Sequence, residues 1–268
     1  MTTGLLSVII PSRNEPYLNK TVNDILTKAM AKVEVIVVLD GYWPDEIVDD
    51  DRVRYIHYSD ARGMRNGINM GIEVSDGEYI MKCDAHVMFD EGFDIILKAS
   101  CNPGYVVVPR RKRLDPQKWA VIEDGRPPVD YEYIDSVDLH GIRWEEKAEE
   151  RKDVEIDDII SAQGSCWFTT RKHLEKIGEL DETNYGSFFL EFQELSFKTW
   201  AIGGRVIVNK KTWYAHWHKT EGRGYTLGKN EREIAKNFIL KWKDGNAWDK
   251  QEIPFNEILE RFLPMPGW

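Results

Sequence analysis

The sequence is short of cysteine, of long apolar runs and of positive net charge, and each shortage excludes something. Its three cysteines, Cys83, Cys101 and Cys166, are widely spaced and odd in number, so neither a disulfide framework nor a zinc knuckle is expected. No stretch approaches the ~20 apolar residues that span a bilayer. The apolar run from Leu5 to Ile10 has no basic segment before it and no cleavage site after it, so no secretory leader is expected. The expectation is a cytoplasmic protein, or a soluble fragment of something larger. A formal net charge of −10 argues against a surface that binds nucleic acid throughout, although a local basic patch could still do so. The first apolar run is not followed by a glycine-rich loop. Pro11-Ser12-Arg13-Asn14-Glu15 is neither a dinucleotide fingerprint nor a P-loop, which sets aside nicotinamide-dependent oxidoreductases and nucleoside triphosphatases. There is no internal repeat and no low-complexity linker.

What is present describes an ordinary globular protein. The 268 residues, 42% hydrophobic and 31% charged, suffice for a substantial core in one large domain or two small ones. Leu5 to Ile10 reads as a buried strand ended by Pro11, and residues 16 to 31 carry Leu18, Val22, Ile25 and Leu26 at helical spacing. Strands follow at Val33 to Leu39, Val53 to Tyr58 and Glu78 to Cys83, with a helix from Gly63 to Val74 before the last. This alternation implies an α/β fold with a mostly parallel sheet flanked by helices. Beyond Gly104 a strand at Tyr105 to Val108 runs into Pro109-Arg110-Arg111-Lys112-Arg113. Residues 123 to 160 read as a long excursion with one helix near Glu145 to Arg151. Further strands are expected at Gly164 to Thr169 and Val206 to Val208, with helices from Arg171 to Ile177 and around Glu191 to Lys198. A tail from Asn230 holds an amphipathic helix with Ile234, Phe238, Ile239 and Trp242, then a last one near Ile258 to Phe262.

Asp84-Ala85-His86 is the most informative short motif. An acid and an imidazole two residues apart at the end of a buried strand can reach one divalent cation, and open α/β sheets bind ligands outside the carboxyl ends of their strands. That points to metal-assisted chemistry on a phosphorylated substrate.

Several segments together resemble nucleotide-sugar glycosyltransferases of GT-A fold. Val8-Ile9-Ile10-Pro11-Ser12-Arg13-Asn14-Glu15 resembles their opening strand, and Val37-Val38-Leu39-Asp40-Gly41 their second-strand acid. Ala61-Arg62-Gly63-Met64-Arg65-Asn66-Gly67 is similar to their basic helix start. Asp84-Ala85-His86 matches the metal motif in the form used by polypeptide N-acetylgalactosaminyltransferases, the closest branch in motifs among the family 2-type enzymes. Gly164 to Phe168, Ile177 to Asp181, Glu191 to Trp200 and Gly203-Gly204 then follow in the order those enzymes show, so the resemblance spans roughly residues 5 to 220.

The resemblance implies a GT-A domain over residues 1–225, with a nucleotide-binding half (1–104) and an acceptor and catalytic half (105–225), followed by a helical extension over 226–268. It implies Mn²⁺ or Mg²⁺ held by Asp84, His86 and His216, with His218 as the fallback. Mixed carboxylate and imidazole ligation suits Mn²⁺ better than Ca²⁺. The donor, a UDP-sugar by expectation, would be held by Pro11, Arg13, Glu15, Asp40, Arg62, Arg65, Asp84 and Lys219. Asp40 ends a strand where a carboxylate can accept the imide N–H of uracil, and Arg62 and Arg65 open a helix that can meet phosphate or base.

Glu191 and Glu194, three apart on one helix, are the candidate catalytic acids. Inverting relatives place an Asp base directly after the first acid, and here that position is Phe192. Either Glu191 serves as the base, or configuration is retained and no base is needed there, and the departure favours retention. Arg110, Arg111, Lys112 and Arg113, with Trp167 nearby, are the candidate acceptor contacts, suited to an anion. The acceptor could be a carbohydrate, glycolipid, protein or modified DNA, including hydroxymethylated bases of phage DNA. A nucleotidyltransferase would need a glycine- and lysine-rich signature that is absent. A non-catalytic nucleotide-sugar-binding module is the remaining alternative.

Overall fold

The structure is a computed structural model and describes residues 1–219 and 226–268. In chain order its elements are β1 (Thr2–Ser12), α1 (Leu18–Lys28), β2 (Val33–Asp40), β3 (Val53–Tyr58), α2 (Met64–Val74), β4 (Gly77–Cys83), β5 (Val87–Phe89), α3 (Phe93–Ser100), β6 (Tyr105–Asp115), β7 (Ala120–Val121), β8 (Glu132–Ile134), β9 (Gly141–Arg143), α4 (Glu145–Glu150), β10 (Ile156–Asp158), β11 (Cys166–Thr170), α5 (Arg171–Ile177), α6 (Glu191–Ala201), β12 (Arg205–His216), α7 (Glu231–Ile239) and α8 (Phe255–Glu260). Among the described residues no helix is long and apolar enough to cross a membrane.

One mixed sheet organises the chain, with strand order β10-β12-β6-β11-β4-β1-β2-β3. The pairs β1–β2, β1–β4, β2–β3 and β6–β12 are parallel, whereas β11 runs antiparallel between β4 and β6. The period of two along the central strands sends their side chains to two separate cores. Leu6, Val8 and Ile10 face one side, with Val35 and Val37, where they meet Leu18, Val22 and Ile25 of α1 and Phe93 and Leu97 of α3. Ile9, Ile36 and Val38 face the other side, toward Ile68 of α2, Leu174 of α5 and Leu195 of α6. The expected covering of both faces is therefore present, and each large apolar side chain so buried contributes about 1.5–3 kcal/mol. The C-terminal residues Ala235, Ile239, Trp242, Phe255 and Ile258 belong to this second core, and the Trp242 indole N–H donates to Tyr185 Oη at 3.0 Å.

Three strands run longer than their apolar cores indicate. β1 continues through Pro11, which pairs with Val38, while pairing to β4 is recorded only as far as Ile9. Pro11 thus sits where β1 and β4 part, and its missing N–H costs no ladder bond there. β6 carries the whole basic segment Arg110–Arg113. β12 extends to His216 through a register shift between Asn209 and Trp213. The excursion over 123–160 contains the expected helix as α4, together with the hairpin β8–β9 and the edge strand β10. β5 and α3 carry no counterpart in the sequence reading. From β1 the chain proceeds to β2 on one side and to β4 on the other, so the crevice at the carboxyl ends of β1 and β4 is a topological switch point.

Candidate active site

A cavity of about 490 Å³ opens at that crevice. The end of β1 gives it Pro11, Ser12, Arg13 and Glu15, and the end of β2 gives Asp40. The turn after β4 adds Asp84 and His86, and β12 with the residues after it adds His216, Trp217, His218 and Lys219. Gln163, Ser187 and Phe188 close the opposite wall.

Asp84, His86 and His216 each bring one ligand atom within 4.8 Å of the others. The His216 Nε2 lies 3.2 Å from Asp84 Oδ2 and 3.2 Å from His86 Nε2, and His86 Nε2 is 3.8 Å from Asp84 Oδ2. On its other side the His86 Nδ1–H donates to Glu15 Oε2 at 3.0 Å. That bond turns the Nε2 lone pair of His86 toward His216 and Asp84, the carboxylate–histidine arrangement that orients metal-binding imidazoles. Burial pushes His216 down to about 4, against the pull of Asp84, so its imidazole is neutral and able to ligate at neutral pH. Burial alone would raise Asp84, but the Lys82 ammonium and the two imidazoles hold its carboxyl far below the usual range. Two imidazoles and a carboxylate converging on one point form an electron-rich set that a divalent cation fits. His218 lies outside this set, its ring centroid 6.2 Å from that of His216. A second acidic group, Asp135, Asp138 and His140, is occupied by Lys236, which pairs with Asp138.

Lys82 was not singled out from the sequence, and it ties the metal motif to α6. It is 1% exposed, and its Nζ donates to Asp84 Oδ1 at 2.8 Å, Glu191 Oε2 at 3.1 Å and the Gly164 carbonyl at 2.5 Å. Burial works against its charge, yet Asp84 and Glu191 hold its pKa above the ordinary value. Glu191 in turn accepts the Trp167 indole N–H at 2.6 Å, and burial pushes its carboxyl up against the opposing pull of Lys82. A Cβ on Gly164 would come within 2.9 Å of Glu191 Oε2, so a larger residue there would displace the carboxylate that Lys82 and Trp167 hold. The available sequence signal was a lone lysine in an apolar strand, two residues before Asp84 and hence on the same face. Gln163 and Ser187 have no counterpart among the sequence candidates, because they reach the cavity from loops with no periodic pattern.

The other candidates separate into residues at the cavity and residues behind it. Pro11, Arg13, Glu15, Asp40 and Lys219 line it, and Glu15 also accepts from Lys219. Asp40 receives the backbone N–H groups of Arg62, at 2.5 Å, and Gly63, at 3.1 Å, so it holds the start of α2 in place. The Arg62 guanidinium lies 4.2 Å from the Tyr58 ring centroid and is not part of the cavity wall.

Arg65 and Glu194 are fully buried and pair with each other. Arg65 also donates to the Phe189 carbonyl and stacks 4.6 Å from Tyr185, which fastens the loop carrying Ser187 and Phe188 to α2. Neither belongs to the cavity wall, so their place is as a strut behind it. Glu191 likewise stands behind the wall, reaching Asp84 through Lys82. Trp167 is buried core. On β6, Arg110 grips Asp130 through two nitrogens, Arg111 bonds Gln163 and pairs with Glu132, and Lys112 lies 4.6 Å from the Trp213 ring. Arg113 donates to the carbonyls of Arg126 and Pro127.

Comparisons with known proteins agree with this architecture. Residues 7–178 match the family described as Glycosyl transferase family 2. A glycosyltransferase, GlyG, of Streptococcus pneumoniae serotype 4 is 38% identical over 89 residues, 30% of this chain and 30% of that relative, so the chain spans well under half the length of this curated relative. The crystal structure of GalNAc-T7 with UDP, GalNAc and Mn²⁺ superposes with a TM-score of 0.71 at 16% identity, covering 96% of this chain and 54% of that one. S. aureus TarS 1-349 in complex with UDP-GlcNAc superposes with a TM-score of 0.61 at 16% identity, covering 96% of this chain and 71% of that one. By the family match the chain belongs to glycosyl transferase family 2, a glycosyltransferase by family, and it has the GT-A fold of nucleotide-sugar enzymes.

Proposed function

We propose that this protein is a metal-dependent transferase that moves a sugar from a UDP-sugar to a hydroxyl acceptor. The observation that carries the reading is the convergence of His86 Nε2, His216 Nε2 and Asp84 Oδ2 at the floor of a cavity at the sheet's switch point. Mn²⁺ or Mg²⁺ held by these residues would supply Lewis-acid neutralisation of the departing diphosphate. Glu15 keeps His86 in the ligating tautomer, and Lys82 fixes one oxygen of Asp84 so that the other faces the site. Pro11, Arg13, Asp40 and Lys219 form the donor wall, with Asp40 placed to accept from a base. The relatives solved with UDP and with UDP-GlcNAc support a uridine donor.

Retention of configuration is the favoured outcome. Phe192 lies in the core, and Glu191 is engaged by Lys82 and Trp167 behind the wall. Among the described residues the carboxylates lining the cavity are Glu15, held by His86 and Lys219, Asp40, held by the start of α2, and Asp84, held by Lys82 and His216. We take residues 1–104 as the donor half, 105–225 as the acceptor half and 226–268 as an extension. Three buried, unpaired cysteines suit the reducing cytoplasm.

Calorimetry with UDP, with and without Mn²⁺, tests the reading. Binding is expected to require Mn²⁺ and to fall at least tenfold in His86→Ala, about 1.4 kcal/mol or more. UDP binding that ignores both the metal and the substitution would sink it.

A further inference from the structure

The basic strand expected to meet the acceptor does not act as one unit. Alternation along β6 sends Arg110 to Asp130 and Lys112 to the Trp213 ring, whereas Arg111 and Arg113 share the other face. Arg111 bonds Gln163, which lines the cavity, and the backbone of Arg113 pairs with that of His216. Two arginines distant in sequence join them. Arg113 and Arg143 both donate to the carbonyl of Pro127, at 3.2 and 3.4 Å, and Arg113 also reaches the carbonyl of Arg126 at 3.4 Å. Two guanidinium groups thus share one uncharged acceptor. Burial, with the neighbouring Arg126 and Arg143, pushes Arg113 below its ordinary value. The present partners of these arginines differ. Arg111 pairs at 3.6 Å with Glu132, whose side chain is 11% exposed. Arg126 grips Asp124 through two side-chain nitrogens on an exposed turn, and Glu145, paired to Arg143 at 3.2 Å, is 68% exposed. An exposed pair such as Arg143–Glu145 contributes about 0–1 kcal/mol and exchanges readily for a better anion.

We propose that Arg111, Arg113, Arg126 and Arg143 form a track leading out of the cavity that binds an acceptor carrying several anionic groups, phosphate or carboxylate. The fork of a guanidinium matches either anion through two parallel bonds. Four such groups exceed what one phosphate uses, which points to a chain of charges. In a molecule of net charge −10 the rest of the surface repels such a chain, so the track also sets its direction. The proposal rests on the glycosyl-transfer reading, and its test separates the two.

An abasic phosphodiester trimer, which does not strip Mn²⁺ as a polyphosphate would, and trigalacturonate are titrated by calorimetry into protein saturated with UDP and Mn²⁺, with neutral maltotriose as the third arm. At least one anion is expected to bind without displacing UDP, the phosphate or carboxylate arm naming the source. Its affinity falls about tenfold in Arg113→Gln/Arg143→Gln, the loss of two charge-assisted bonds at a half-exposed place. Arg126→Gln, on an exposed turn, repeats the comparison without touching the strand. Equal anion affinity in wild type and variants, displacement of UDP by the anion, or binding of maltotriose alone would overturn the track. Failure of UDP itself to bind condemns the glycosyl-transfer reading instead, and the wild-type against variant comparison still decides the track.

Discussion

Replacing Lys82 by methionine keeps most of the stem's packing and deletes the ammonium between Asp84 and Glu191. Glu191 is 4% exposed and would retain the Trp167 indole N–H as its hydrogen-bond partner. A charge stranded in this way costs about 3–5 kcal/mol. The carboxyl has an escape, because it can take up a proton. From an ordinary value of 4.5, protonation at pH 7 costs about 1.36 × 2.5, or roughly 3.4 kcal/mol. The expected destabilisation of Lys82→Met at pH 7 is therefore about 3 kcal/mol, the cheaper of the two routes. With an unfolding entropy of about 2.1 cal/mol/K per residue over 268 residues, that lowers Tm by about 5 °C.

The sign with pH follows from the same bookkeeping. In the variant Glu191 has a folded pKa above its unfolded one, so stability is lost as pH rises above the unfolded value and recovered as pH falls toward it. At pH 5.5 the deficit shrinks to about 1.4 kcal/mol. Urea unfolding at the two pH values measures both numbers, and adding Glu191→Gln to the variant should restore most of the loss at pH 7. A deficit below about 1 kcal/mol, or one that neither falls with pH nor responds to Glu191→Gln, refutes the assignment of Lys82 as the neutralising centre.

Two further outcomes follow from groups behind the cavity. Arg65→Met leaves Glu194 with Lys198 at 2.7 Å and the Asp181 N–H at 3.0 Å. It should therefore cost about 1.5–3 kcal/mol in urea unfolding, the loss of one bond between charged groups, and adding Lys198→Met should deepen the loss. His173 is buried with its Nε2–H directed to Thr199 Oγ1 at 2.9 Å, and burial pushes its pKa down to about 4 from 6.5. The unfolded chain binds the proton first, so stability is full above pH 6.5 and declines as pH falls toward 4, by up to about 3 kcal/mol. In His173→Gln that acid slope should flatten, and an unchanged slope would count against it.

The legible parts of this molecule were those with a local signature. The central strands announced themselves as apolar runs, and Asp84, His86 and Asp40 stood at their ends, so their arrival at one crevice followed from the βαβ rule. His216 was legible through its motif, although the strand that delivers it was not. Asn209, Lys210, Lys211 and Thr212 break the apolar pattern of β12, and it is the pairing of the segments on either side with β6 that carries the strand across them. Arg65 and Glu194 read as site residues because sequence shows charge but not burial. Their pairing across 129 positions is invisible until α2 and α6 are packed together. Arg126 and Arg143 carried no signal at all, since their neighbourhood with Arg113 comes from the turn at Pro127.

The register shift in β12 bears on which changes of length the chain can absorb. Between Asn209 and Trp213 the strand leaves one frame against β6 and enters another, and His216 lies three residues beyond. Deleting a single residue of the paired stretch between Trp213 and His216 would turn His216 to the opposite face of the sheet, because side chains alternate with a period of two. Deleting two would keep its face but draw it back about 6.6 Å along the strand. Residues 210–212 pair with no residue of β6 and can therefore take up a change of length, whereas between Trp213 and His216 the strand is bound to substitution without insertion or loss.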